Sequence, residues 1–154
     1  MASRRKGRIL AFQALYSWEA AGMPAGEAAD FSWMEQRKYD ALDEGTRTFS
    51  RLLIAGTIEN IDSIDSIIKD HLQNWDFSRL NRVDLALLRM STYTLMYQHD
   101  VSPSIVIDEA IGISKEYGTS ESYRFVNGVL DSIKRTLQEK SAPVPAEGTE
   151  QAQA

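Results

Sequence analysis

Residues 82–97 read Arg-Val-Asp-Leu-Ala-Leu-Leu-Arg-Met-Ser-Thr-Tyr-Thr-Leu-Met-Tyr. Val83, Leu85, Ala86, Leu87, Leu88, Met90, Leu95 and Met96 point all round a helix of period 3.6, unlike the single stripe of a surface helix or the alternation of a strand. A helix apolar nearly all round must be enclosed, so the rest of the chain has to surround it. Asn81 is its expected N-cap. Asp84 falls at the third helical position, where a carboxylate suits the positive helix end.

The flanking segments supply further helices. Over residues 4–20, Ile9, Phe12, Leu15, Tyr16 and Ala20 recur at three- and four-residue steps, and Gly22, Pro24 and Gly26 end the pattern. Residues 21–30 then read as a small-residue connection. Tyr39, Leu42, Phe49, Leu52, Leu53 and Gly56 fit one helix, and Ile58, Ile61, Ile64, Ile67, Ile68 and Leu72 continue the spacing. Glu59, Asp62, Asp65 and Asp70 are most simply a solvated face, and their spacing lacks the Gly-containing loop of an EF-hand, so no metal is expected.

After a turn-like Trp75-Asp76-Phe77, Ser102-Pro103 marks an N-cap with proline at the first helical position. Ile105, Val106, Ala110, Ile111 and Ile113 form that helix's stripe up to Gly118, expected to be a left-handed terminator. Thr119 or Ser120 should cap the last helix, which turns Val126, Val129, Leu130, Ile133 and Leu137 inward and ends near Lys140. Gly128 in that helix costs about 1 kcal/mol relative to Ala, which points to a close-packed neighbour. Residues 141–154, with two prolines and no large apolar side chain beyond Val144, read as a disordered tail. The expected fold is all-α, about six or seven helices in one compact domain over residues 1–140.

The chain has 154 residues, enough for a proper core without staples, and no cysteine, hence no disulfide framework or thiolate metal site. No apolar run approaches the roughly 20 residues of a membrane span, and the N-terminus lacks a signal-peptide pattern. A soluble cytoplasmic protein is expected. The net charge of −5 argues against a nucleic-acid binder, yet Arg4, Arg5, Lys6 and Arg8 stand together with no acid among the first eight residues. Such a pole attracts a polyanion to one place on an acidic body; a solvated or frayed basic end is the plainer alternative.

Catalytic signatures are missing: there is no Walker loop, dinucleotide fingerprint, HExxH or nucleophile elbow. The two histidines, His71 and His99, fall at expected helix ends, where capping accounts for both. An enzyme is the weaker class.

Gln13-Ala14-Leu15-Tyr16-Ser17-Trp18 behind the Arg-rich start, Arg82-Val83-Asp84 leading to Leu88-Arg89, Asp108-Glu109-Ala110, Tyr117-Gly118, and finally residues 124–131, Arg-Phe-Val-Asn-Gly-Val-Leu-Asp, make a recognisable set. In order and approximate spacing over residues 4–137 it resembles the NusB family of transcription antitermination factors. The resemblance implies two helical subdomains and RNA binding without catalysis or cofactor. It implies as partners boxA RNA of ribosomal RNA leaders, the small-subunit ribosomal protein NusE, and the RNA polymerase antitermination complex.

By that likeness the RNA surface takes in Arg4, Arg5, Lys6, Arg8, Tyr16, Glu121, Arg124 and Phe125. Unpaired bases are read by stacking on aromatic rings, each stack worth about 1–3 kcal/mol, and cations hold phosphates in a salt-dependent way. Without the family, Phe125 reads as core. Gly7 interrupts the basic run, so the first turn is expected to fray; Glu121 should temper RNA affinity by repelling phosphate. Asp84 is either a polar contact to NusE or only a helix-end carboxylate, and Leu85, where the family often has Arg, leaves that contact open. The other readings are a helical protein–protein adaptor that never meets RNA, and a domain related to those that precede ribosomal RNA methyltransferases. The second is disfavoured because a tail, not a nucleotide-binding half, follows.

Overall fold

Every residue from 84 to 95 is buried in the helix that the sequence makes central. The computed structural model describes residues 3–141, and among them there are helices and turns but no strand. In order they are α1 (Arg4–Ala21), α2 (Ala25–Ala29), α3 (Gln36–Asp40), α4 (Glu44–Glu59), α5 (Ile61–Asp70), a 3-10 turn (Phe77–Arg79), α6 (Arg82–Tyr97), α7 (Pro103–Tyr117) and α8 (Ser122–Ser141). The tail expected beyond α8 lies outside the described residues. α6 packs against α1, α4, α5, α7 and α8; α1, α2 and α4 pack on one another, and α7 packs on α8. These are the two helical subdomains.

Three local expectations change. Residues 21–30 are not all connection, because Ala25–Ala29 makes one short helix whose Ala28 is buried. Tyr39 belongs to the five-residue α3 and Leu42 follows it, so neither is on the helix of Phe49, and Leu52 on α4 is 52% exposed. Asp65 is not solvated. It receives Arg89 Nε at 2.9 Å and Nη2 at 2.8 Å, and Arg89 Nη1 reaches Glu19 Oε1 at 2.7 Å. This guanidinium is the one cation inside α6's buried run, and the rings of Trp18 and Phe77 lie 5.6 and 5.8 Å from it.

Helix ends follow their signals with two exceptions. Asn81 Oδ1 accepts from Val83 N–H at 2.7 Å, His71 Nδ1–H donates to Ile67 O at 2.8 Å, and His99 Nε2–H donates to Met96 O at 2.8 Å. Gly118, however, is extended at φ −96° and ψ −170°, so no left-handed cap forms. Glycine is needed there for space, since a Cβ would stand 2.6 Å from Ser122 Oγ and 2.8 Å from Ser114 O. α8 starts only at Ser122, after a turn through Thr119 and Ser120. Gly128 is exposed with open space beside it, so close helix packing does not explain it; nothing in the structure does.

Candidate nucleic-acid interface

The first turn of α1 is built to stay formed. Ser3 Oγ accepts from Lys6 N–H at 3.2 Å, and Ser3 N–H donates to Thr46 Oγ1 of α4 at 2.9 Å. Gly7 is buried against α4, where a Cβ would fall 2.5 Å from Phe49 Cδ2, so this glycine admits a ring and the expected fraying is corrected. The Phe49 ring lies 4.7 Å from the Arg4 guanidinium and 5.4 Å from that of Arg8. Phe49 therefore gathers two of the four cations, a link that lies 40 or more residues away along the chain and that local spacing does not reveal.

Glu109 of α7 gathers two as well. Arg5 Nη1 lies 3.4 Å from its Oε2 and Arg8 Nη1 lies 3.6 Å from its Oε1. Arg5 crosses α7 at Gly112, where a Cβ would be 2.8 Å from Nη1. Burial lowers the affinity of Arg8 for its proton, Glu109 opposes that effect, and Arg4 and Arg5 add to it. Arg4, Arg5 and Lys6 are exposed, whereas the Arg8 side chain is only 11% exposed. The four cations thus differ: Lys6 and Arg4 face solvent, Arg5 is exposed but paired, and Arg8 is largely enclosed.

Farther along the same face, aromatic rings take over. Arg5, Arg8, Phe12 and Tyr16 follow one stripe of α1, and residues 5 and 16 are about 16 Å apart along the axis. Phe12 is buried with its ring 5.3 Å from that of Tyr117 at the end of α7. Tyr16 and Tyr117 are each 39% exposed, and with Phe12, Gln13, Ser17 and Val83 they line a cavity of about 280 Å³. Tyr117 carried no role in the sequence reading; its only signal was the Tyr117-Gly118 pair.

A second cluster lies at the start of α8. The Lys115 ammonium lies 5.0 Å from the Tyr123 ring, and Arg124 Nε–H donates to Tyr123 Oη at 3.1 Å. Arg124 and Glu121 are exposed. Phe125 is half-buried: it packs against the core, and its ring also sits 5.2 Å from that of Trp75. The core reading and the exposed-ring reading of this residue each hold for part of the side chain.

Asp84 is largely enclosed rather than open at the surface. It is 8% exposed, and its Oδ1 is buried without a hydrogen-bond partner among the described residues. Burial raises its pKa above the ordinary 3.8, and a hydrogen bond from Ser122 at the start of α8 pulls the other way. Ser122 Oγ also accepts from Thr119 N–H at 3.0 Å. Asp84 is therefore an internal tie between the beginnings of α6 and α8, the place where Glu121, Arg124 and Phe125 emerge.

A carboxyl whose folded pKa is raised binds its proton more readily in the folded chain, so it costs stability as pH rises from 3.8 through the raised value. Asp84→Asn removes that cost. In urea melts at several pH values, the stability of the variant relative to the parent should climb over this window and then level off. A flat difference curve would refute the buried-carboxylate assignment.

The described residues form an all-helical fold that gathers four cations at the start of α1 and half-exposed rings farther along it, the make-up of a helical binding surface. Among those residues no helix is long and apolar enough to cross a membrane. A model of the NusB family matches residues 5–135. The transcription antitermination protein NusB of Treponema denticola is 51% identical over 131 residues, covering 85% of this chain and 95% of the relative. Among solved structures, T. maritima NusB aligns with a TM-score of 0.76 and 34% identity over 88% of this chain and 93% of its own. A chain from the crystal structure of antitermination factors NusB and NusE in complex with dsRNA aligns with a TM-score of 0.77 and 28% identity, over 86% and 96% respectively. The chain belongs to the NusB family of transcription antitermination factors, which are not enzymes.

Proposed function

We propose that this protein binds single-stranded boxA RNA in ribosomal RNA leader transcripts together with NusE, and as part of the RNA polymerase antitermination complex promotes ribosomal RNA transcription in the cytoplasm. The observation that carries this reading is the stripe of α1 along which Arg5 and Arg8, held by Glu109 of α7, are followed by Tyr16, which lines a cavity with Tyr117, together with the exposed Arg124 and half-buried Phe125 at the start of α8. Cations at one end hold phosphates, and rings farther on accept unstacked bases. Binding to RNA and to NusE is supported also by the likeness of this chain to one from the solved complex of NusB and NusE with dsRNA.

In this reading residues 1–140 act as one RNA-binding domain. Lys6 and Arg4 meet phosphate first, Tyr16 and Phe125 stack bases, and Glu121 moderates affinity by charge repulsion. Asp84 contributes by holding the start of α8 in place.

The test is a fluorescence-anisotropy titration of a labelled boxA-like single strand, with a duplex of the same sequence as control, with and without purified NusE. Phe125→Ala should weaken single-strand binding by roughly tenfold, the scale of one lost stack. Its unfolding midpoint should fall far less than full burial would require, because the ring is only half-buried. Collapse of the fold with no specific RNA effect returns Phe125 to the core. Absence of RNA binding alongside retention of NusE would replace the whole reading with that of a protein–protein adaptor.

A further inference from the structure

Trp75 is the most exposed large apolar side chain among the described residues, at 58%. It does not sit on a loose segment. Before it, His71 Nε2 lies 2.8 Å from Thr136 Oγ1 of α8, which ties the end of α5 to that helix. After it, the Asp76 carboxylate accepts from Ser78 N–H at 3.1 Å and Ser78 Oγ–H at 2.9 Å. Phe77 is packed against the core with the Lys69 ammonium 4.9 Å from its ring. Between these anchors, Asn74 takes a left-handed conformation at φ 64°, which non-glycine residues rarely adopt, and the chain turns there. A large indole held out of the core by an ordered turn forgoes burial that an apolar side chain normally gains.

The indole also stands in a defined place. Its ring is 5.2 Å from that of Phe125, tilted by 58°, near the edge-to-face arrangement that rings prefer. Such a pair touches over a small area and leaves more than half of Trp75 open. Arg124, exposed, precedes Phe125. The nearest acid in sequence, Asp76, is engaged by Ser78, and those hydrogen bonds hold it below the usual carboxylate range.

We infer that Trp75 is a base-stacking residue, which with Phe125 forms a two-ring step for an unpaired base of single-stranded RNA and extends the RNA surface at the start of α8. The inference rests on the RNA-binding reading above. The occupant is a base because the open indole packs on Phe125, a ring that the RNA-binding reading already gives to a base, and because Phe125 directly follows the exposed Arg124 in the chain. Base–aromatic stacking needs only an open π-face and tolerates any base, so this step adds affinity with little sequence preference.

The experiment compares the full chain with its Trp75→Phe and Trp75→Ala variants, titrated with the boxA-like single strand at several salt concentrations. Trp75→Ala should bind on the order of tenfold more weakly, and Trp75→Phe should keep most of the affinity. The slope of log affinity against log salt should stay that of the parent in both, since no phosphate contact is removed. RNA should quench the parent's indole emission, and Trp75→Phe should lose most of that quenching although Trp18 and Trp33 remain.

Unchanged affinity in Trp75→Ala, with Phe125→Ala still weakened, overturns this inference and leaves the RNA reading standing. A parent that binds no single strand overturns both. Should Trp75→Ala fold poorly, the quenching difference between the parent and Trp75→Phe decides. Normal RNA binding by Trp75→Ala with lost retention of NusE assigns the indole to a protein surface and also overturns it.

Discussion

Arg89→Ala should lower the free energy of unfolding by about 3–5 kcal/mol, the cost of breaking a buried ion pair from one side. The Arg89 side chain is 7% exposed and Asp65 17%, so removing the guanidinium strands a carboxylate that water reaches poorly. Glu19, at 38% exposure, loses its partner more cheaply. Total stabilities of domains this size are about 5–15 kcal/mol, so the variant should melt far below the parent. Urea or thermal denaturation followed by circular dichroism measures it. Arg89→Met with Asp65→Asn, which leaves no buried charge at the site, should recover much of the loss. A single variant that melts with the parent would show that the triad contributes little.

Arg5→Ala combined with Arg8→Ala should weaken RNA binding by roughly ten- to a hundredfold and flatten the salt dependence by about 1.4 in log–log slope, if each arginine neutralises one phosphate of a single strand. Glu109→Gln should act in the opposite sense. In the free protein that carboxylate holds Arg5 at 3.4 Å and Arg8 at 3.6 Å, so it competes with phosphate for both. Neutralising it should tighten binding most at low salt, where screening is weakest. Titrations of the parent and both variants at three salt concentrations separate the cases. Equal affinity in the parent and the double variant removes Arg5 and Arg8 from the interface, leaving Lys6 and Arg4 as the exposed cations.

The limits of α6 follow from an apolar run between Asn81 and Gln98, because an apolar pattern all round the helix and a side-chain cap are local properties of the residues concerned. α7 begins at Pro103 for the same kind of reason, a fixed φ after Ser102. The five-residue α2 and α3 were not legible, since one helical turn is too short to show a period. Gly7 and Gly118 were read by intrinsic preference, one as a weak point and the other as a left-handed cap. In the folded chain each is a place where a side chain, Phe49 or Ser122, comes too near for a Cβ.

The candidate site divides along similar lines. Its composition was local: four cations at the start of one helix, Tyr16 three turns on, and Arg124-Phe125 at the start of another. Which of them are open was not. Arg5 meets Glu109 across 104 residues, Arg89 meets Glu19 across 70, and Asp84 is enclosed beside Ser122. Helical period, the Asn81 and Ser102 starts and the basic pole are properties of neighbouring residues, and the amino-acid order alone determines them. Burial of Arg8 and Asp84, exposure of Trp75 and Tyr117, and the pairing of Arg89 with Glu19 and Asp65 depend on helices that meet only after the chain has packed, because distance in space between side chains is set by tertiary contact and not by spacing along the chain.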